Sequence, residues 1–278
     1  VTARLATHPD VAARTADVLE RLLAAGVDVE FAGAGVEGEA PLAALRAGSI
    51  DLALVGIQAL RGSAADDVTT VAVLPREEVR DVLVTLSDRR APLHDLPAGA
   101  RVGVAGARRS AFLRAHRPDI EVVPLTVAPD AIAQQGGVLD AVIISALDAR
   151  RGGLVAATVE VLDGRAWLPE PGQGAVALVA RHPIAEATAL DHLPTRTALR
   201  AELALLDALD ADADAPLGCV AQPSGRWIRL WAGAASADGT RLVRSDRTGP
   251  LDEPEALGAS VAQEMRARGY GLVESVAG

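Results

Sequence analysis

Ile50 to Ile57 is a nearly unbroken apolar run, Ile-Asp-Leu-Ala-Leu-Val-Gly-Ile. A short run of this kind is what a strand buried on both faces looks like, and such strands belong to sheets covered by helices. The flanking sequence supplies those helices. Val1 to Ala6 reads as a strand. Asp10 is placed to cap a helix whose apolar face holds Val11, Val18, Leu19, Leu22 and Leu23, and Gly26 ends it. Val27 to Ala32 then reads as a strand, Pro41 to Ala47 as a short helix, and Val71 to Leu74 and Val82 to Leu86 as further strands.

The alternation continues. Leu96-Pro-Ala-Gly99 is a turn, Arg101 to Ala105 a strand, Gly106 to Ala115 a helix and Ile120 to Leu125 a strand. Pro129 to Gln135 reads as a helix, and Asp140 to Ser145 and Gln173 to Ala180 as strands. Trp167 to Gly174, rich in Pro and Gly, reads as a crossing segment. Strand and helix in turn predict an α/β fold with largely parallel sheets. A third block differs. A long helix over Thr197 to Leu209 precedes strands at Gly218 to Ala221, Trp227 to Ala234 and Leu242 to Ser245. Asp238-Gly239 stands where a hairpin turn is expected, and Ala256 to Arg268 closes as a helix. No internal repeat is evident.

Half of the residues are hydrophobic but only 2% are aromatic, so the core must be built of Ala, Val and Leu. The net charge of −10 argues against broad nucleic-acid binding, which needs a basic surface. The sequence has no lysine and no asparagine, so no lysine can form a Schiff base. Cys219 is the one cysteine, which excludes an intrachain disulfide and a cysteine zinc cluster. His8, His94, His116, His182 and His192 show no metal-ligand spacing, and Asp210, Asp212 and Asp214 lack the glycine and glutamate of an EF-hand loop. No transmembrane run or signal peptide is evident, so the cytoplasm is the expected location and a monomer the expected state.

The strongest site candidate from the residues alone is Arg108-Arg109. It follows a strand and a glycine at a predicted helix start, where free N–H groups and guanidinium forks favour carboxylate or phosphate. The same pair also suits a solvated helix face. Arg150-Arg151 before Gly152-Gly153 is a second cationic pair, which reads first as a charged helix end that neutralises the C-terminal dipole.

Longer strings carry a resemblance. Pro75-Arg-Glu-Glu-Val-Arg-Asp-Val-Leu-Val84, Leu96-Pro-Ala-Gly-Ala-Arg-Val-Gly103, Arg108-Arg109 and Arg117-Pro-Asp-Ile-Glu-Val-Val-Pro-Leu125 resemble hydroxymethylbilane synthase (porphobilinogen deaminase) in order and spacing. So do Leu168-Pro-Glu-Pro-Gly-Gln-Gly-Ala-Val176, Asp191-His-Leu-Pro-Thr-Arg196 and Ala215-Pro-Leu-Gly218. The resemblance implies three domains. Two are like type II periplasmic binding proteins, 1–79 with 172–192 and 80–171, and the third is a small α+β C-terminal domain, 193–278. It also implies head-to-tail polymerisation of porphobilinogen on a dipyrromethane primer held by a cysteine.

Departures from the family pattern bear on that activity. Val55-Gly-Ile-Gln-Ala59 places Ala59 where the family has its catalytic aspartate and Gln58 where it has a lysine. Ala213 stands at the position of the cofactor cysteine, and Cys219 lies six residues beyond it. Thr7-His8-Pro9-Asp10 replaces a Thr-Arg-x-Ser string, Thr126-Val-Ala-Pro129 an arginine-bearing one, and Val104-Ala105-Gly106 a Thr-Ser-Ser. The glycine-rich loop around Gly33 to Glu39 is shortened. Arg108, Arg109 and Arg151 match family arginines that bind carboxylates.

The expectation is a homologue without porphobilinogen polymerisation and without a dipyrromethane cofactor. It would bind a small anionic, pyrrole- or amino-acid-like ligand in the cleft between the first two domains through Arg108, Arg109, Arg151, Thr7, His8 and Gln58. It would be a repurposed enzyme of a specialised pathway or a non-catalytic regulatory partner, with no nucleic-acid or membrane partner. The alternative is a genuine synthase whose acid comes from Asp10 or the Asp210 to Asp214 run.

Overall fold

The computed structural model describes residues 2–33, 40–61, 68–87, 90–212 and 214–274. The shortened loop at 34–39 and the residue at position 213 lie outside the described residues. The chain divides into two compact units, Val1–Glu77 with Gly172–Thr197, and Glu78–Pro171 with Ala198–Gly278. No described helix is long and apolar enough to cross a membrane.

The first unit is a five-stranded sheet of order β2-β1-β3-β10-β4. Its strands are β1 (Ala3–Thr7), β2 (Val29–Gly33), β3 (Leu52–Gly56), β4 (Thr69–Val73) and β10 (Val176–Ala180). The helices are α1 (Thr15–Ala24), α2 (Pro41–Ala47) and α3 (Ile57–Arg61). β1 pairs parallel to β2 and β3, while β10 returns antiparallel between β3 and β4. Leu52 to Val55 are fully buried, as the apolar run requires. Leu5, Val18, Leu22, Leu54 and Leu178 form the centre of this core.

The second unit holds two sheets. β5 (Asp81–Thr85), β6 (Arg101–Val104), β7 (Glu121–Pro124), β8 (Ala141–Ser145) and β9 (Thr158–Val161) take the order β7-β6-β8-β5-β9, with α4 (Ala107–His116) and α5 (Ala146–Arg151). The helix α6 (Leu193–Leu209) leads from the first unit into a three-stranded antiparallel sheet, β11 (Leu217–Ser224), β12 (Trp227–Ala235) and β13 (Leu242–Pro250). α7 (Pro254–Ala267) and the short α8 (Gly271–Glu274) follow. Leu205, Cys219, Ile228, Leu230, Val261 and Met265 pack between this sheet and α6 and α7. The fold is therefore mixed α/β with a small C-terminal sheet domain.

The two five-stranded sheets are largely parallel, as expected. Each carries one strand, β10 or β5, running against the other four. The departures lie elsewhere. Pro9–Arg14 and Pro129–Gln135 are 3-10 helices. Asp10 caps no helix here: the His8 side chain caps the 3-10 helix Pro9–Arg14 by accepting from the Asp10 backbone N–H, and α1 starts after Arg14 without a side-chain cap. Leu23 is exposed, since Thr15, Val18 and Leu22 form the buried stripe of α1.

Candidate functional site

In the first unit the parallel strands end together. Thr7 closes β1 opposite Leu54 of β3, and the His8 N–H donates to the Leu54 carbonyl at 2.9 Å. Thr7 is fully buried, and its hydroxyl oxygen accepts from the Thr15 hydroxyl at 3.1 Å. His8 is half-buried, with its Nδ1 3.3 Å from the Asp10 N–H and 3.5 Å from the Asp10 carboxylate. One turn past β3, α3 carries Gln58 and Ala59. Gln58 is half-buried and folds back over Gly56, which leaves 3.5 Å between its amide oxygen and the place where a Cβ on Gly56 would sit. Ala59 is exposed. The structure thus gathers Thr7, His8, Gln58 and Ala59 at the carboxyl ends of β1 and β3, the edge where open α/β sheets place ligands.

The second unit does the same with β6 and β8. Gly106 turns the chain at φ 84°, a conformation L side chains rarely adopt, and α4 starts at once. Arg108 and Arg109 lie in the first turn of α4 and converge on Asp81, the first residue of β5. Arg108 Nη2 donates to Asp81 Oδ2 at 2.7 Å, and its Nη1 donates to the Leu168 carbonyl at 2.7 Å. Arg109 grips the same carboxylate with two donors, Nε to Oδ2 and Nη2 to Oδ1, both at 3.0 Å. Trp167 Nε1 adds a third donor to Oδ2 at 3.0 Å. The Asp81 side chain is wholly excluded from solvent, and 6% of Arg108 and 13% of Arg109 remain accessible.

Burial alone pushes the Asp81 carboxyl up. The charges of Arg108 and then Arg109, with their hydrogen bonds, outweigh it and hold Asp81 far below the usual carboxylate range. Arg108 is the strained member. Burial pushes it down, Asp81 pulls it up and the Arg109 charge pushes it down again. For Arg109 burial is the largest influence but is overcome, so its guanidinium is held up by Asp81. Glu170 adds negative potential at both guanidiniums.

The sequence offered both guanidiniums to a ligand. The structure commits Arg108 to Asp81 and Leu168, and two donors of Arg109 to Asp81, because a buried carboxylate must be paired. Sequence reasoning missed Asp81 and Trp167. The signal was present, since an acidic residue opening the both-face-buried strand Val82 to Leu86 needs cations somewhere in the fold. Arg151, at the end of α5, pairs with Asp148 one turn earlier. Its side chain is 35% exposed. Cys219 is fully buried in β11 among core residues, with its backbone N–H on the Pro169 carbonyl at 2.9 Å.

The family profile described as "Porphobilinogen deaminase, dipyromethane cofactor binding domain" matches residues 32–189, more than half of the chain. This chain belongs to the porphobilinogen deaminase family. The C-terminal domain profile of porphobilinogen deaminase matches residues 197–267, so the small sheet domain falls in the family as well. The porphobilinogen deaminase of Desulforudis audaxviator is 36% identical over 230 residues, covering 81% of this chain and 74% of that protein. The porphobilinogen deaminase of Thermobifida fusca is 35% identical over 244 residues, covering 84% and 75%. Among solved structures, a periplasmic substrate-binding protein of an ABC transporter from Coxiella burnetii superposes with a TM-score of 0.48 at 13% identity, covering 68% of this chain and 90% of that one.

Proposed function

We propose that this porphobilinogen deaminase homologue does not polymerise porphobilinogen and instead binds a small carboxylate-bearing ligand, pyrrole- or amino-acid-like. The observation that carries the reading is Ala59, an exposed methyl on α3 at the carboxyl edge of the first sheet. Expelling ammonia from an aminomethyl pyrrole needs a group that donates a proton and then balances a cationic carbon. A methyl does neither, and Gln58 beside it is neutral. The second departure is chemical. A dipyrromethane primer needs a thiolate anchor, and the sole thiol, Cys219, is buried inside the C-terminal core, where a pyrrole cannot reach it. The residues present do not fit that cofactor.

In this reading Arg109 and Arg151 supply the cationic contacts of the second unit. Their side chains are 13% and 35% accessible, against 6% for Arg108, which holds Asp81 and the Leu168 carbonyl. Thr7 shapes the edge of the first unit from inside, and His8 and Gln58 are its polar contacts.

Intact mass and turnover test the proposal together. The protein produced in cells supplied with porphobilinogen should have the mass of its unmodified chain and form no uroporphyrin from porphobilinogen after oxidation. A two-pyrrole adduct or steady turnover would overturn it. Either result would favour a second reading, a genuine synthase, to which the names of its relatives lend support.

A further inference from the structure

His116 ends α4 with both ring nitrogens engaged. Nδ1 stands 2.8 Å from the Phe112 carbonyl, which can only accept, and Nε2 stands 3.2 Å from Arg244 Nη2, which can only donate. The ring proton is therefore on Nδ1, Nε2 offers its lone pair to the guanidinium, and the imidazole is neutral. This bond joins α4 to β13 of the C-terminal sheet. The ring also belongs to a packed trio, its centroid 5.6 Å from that of Trp167 and 6.3 Å from that of Phe112. Trp167 in turn donates its indole N–H to Asp81. His116 thus connects the C-terminal sheet on one side with the Asp81 cluster on the other.

Arg244 is the weak point of this connection. Its Nη2 donates to His116 and to the Ala166 carbonyl at 2.6 Å, while its buried Nε has no acceptor among the described residues. Burial holds Arg244 below the ordinary arginine range, and Asp163 offsets this only in part. A proton on His116 Nε2 removes one of the two acceptors and sets two cations face to face.

Beside the ring lies a cavity of about 230 Å³, lined by His116, Trp167, Glu160 and Asp163 among others. Glu160 accepts from the Leu93 N–H at 2.7 Å and Asp163 from the Arg165 N–H at 3.1 Å, each through one oxygen. Their second oxygens, Glu160 Oε1 and Asp163 Oδ2, have no hydrogen-bond partner among the described residues. The other charged groups around the ring are engaged. Arg117 is paired with Asp119 and with the carbonyls of Leu93 and Leu96, and His94 lies 3.3 Å from Asp95. On β7 and β12, which also pack on α4, Glu121 faces Arg101 and Arg229 holds Asp246.

We propose that His116 is a proton-operated latch. Neutral, it ties β13 to α4 and backs Trp167 against Asp81. Protonated, it leaves Arg244 and turns into the cavity toward Glu160 and Asp163, so that β13 and the Trp167–Asp81 bond loosen together. Each protonation state then has its own partners, which is what a two-state element requires. The latch depends neither on the ligand proposed above nor on the loss of polymerisation.

Proton–nitrogen correlation spectra of the full chain test this, because its three tryptophans give three indole N–H signals. Trp227→Phe and Trp231→Phe assign that of Trp167 by elimination. Between about pH 8 and pH 5, where histidine changes charge, the Trp167 signal should move in the wild type and stay in place in His116→Gln, whose amide offers Arg244 an acceptor that takes no proton. At about pH 5 the Trp167 indole should exchange with deuterated solvent about tenfold or more faster in the wild type than in His116→Gln, the factor expected when one charge-assisted hydrogen bond is lost. Glu160→Gln combined with Asp163→Asn removes the destination of the charged ring and should carry the wild-type midpoint to lower pH. Circular dichroism checks that each variant is folded. The latch is overturned by a Trp167 signal that ignores pH, by one that moves equally in His116→Gln, or by a midpoint that the double variant leaves in place. If His116→Gln fails to fold, the wild type and the double variant decide.

Discussion

Asp81 concentrates more of this protein's electrostatics than any residue the sequence singled out. A carboxylate with no solvent exposure, two guanidiniums and an indole N–H around it is costly to assemble but far more costly to break. Asp81→Asn leaves two buried cations facing an amide. It should lower the unfolding free energy by about 3 to 5 kcal/mol at neutral pH, read from urea denaturation. The pH dependence has a definite sign. The folded carboxyl is held far below its unfolded value of about 4, so its contribution is complete above about pH 4 and is lost as pH falls further. The gap between wild type and Asp81→Asn should therefore narrow below about pH 4, and a gap constant into strong acid would refute this account. The candidate site was legible in the sequence only by half. Arg108 and Arg109 stand out because two adjacent arginines follow a glycine. Their partner sits far away in sequence at the head of another strand, and no local pattern links the two.

At the scale of elements, legibility followed local chemistry. Leu52 to Val55 announced β3 because burial on both faces admits only apolar residues. α5 was read only at its charged end, Arg150-Arg151, although Ser145-Ala-Leu-Asp148 carries a capping signal. The Ser145 oxygen accepts from the Asp148 N–H, and its hydroxyl donates to the Asp148 carboxylate at 2.7 Å. β13 runs on to Pro250, well beyond Ser245 where its apolar character stops. Its charged half is paired sideways, Asp246 to Arg229 on β12 and Arg247 to Glu264 on α7. Helix packing offers a sharper test. A Cβ on Gly258 of α7 would lie 2.5 Å from the Ala201 carbonyl oxygen and 2.8 Å from the Leu205 nitrogen of α6. Gly to Ala in a helix normally gains about 1 kcal/mol, but here the obstacle is backbone that cannot rotate away. Gly258→Ala should thus destabilise, and Gly258→Val by about 1 to 3 kcal/mol, followed by the emission of Trp227 and Trp231 on the adjoining sheet. A stabilised Gly258→Ala would show that α6 and α7 can part.

Across the whole molecule, the two five-stranded sheets share one plan that no sequence repeat betrays. β2-β1-β3-β10-β4 and β7-β6-β8-β5-β9 match strand for strand, each with a single reversed strand in the fourth place. That strand comes late in one unit and first in the other, so the chain order hides the equivalence, and burial constrains only apolarity, which many sequences meet. Each unit has its own core, and this has a thermodynamic consequence. Units with separate cores can unfold in separate transitions. All three tryptophans, Trp167, Trp227 and Trp231, lie in the second unit, so indole emission reports that unit alone. Leu54 is fully buried in the first unit, and Leu54→Ala should cost that unit about 2 to 5 kcal/mol. Far-UV circular dichroism should then show an earlier first transition while the tryptophan midpoint stays where it was. Parallel movement of both signals would mean that the two cores melt as one, and that the carboxyl edges carrying His8 and Gln58 on one sheet and Arg109 and Arg151 on the other are stabilised together.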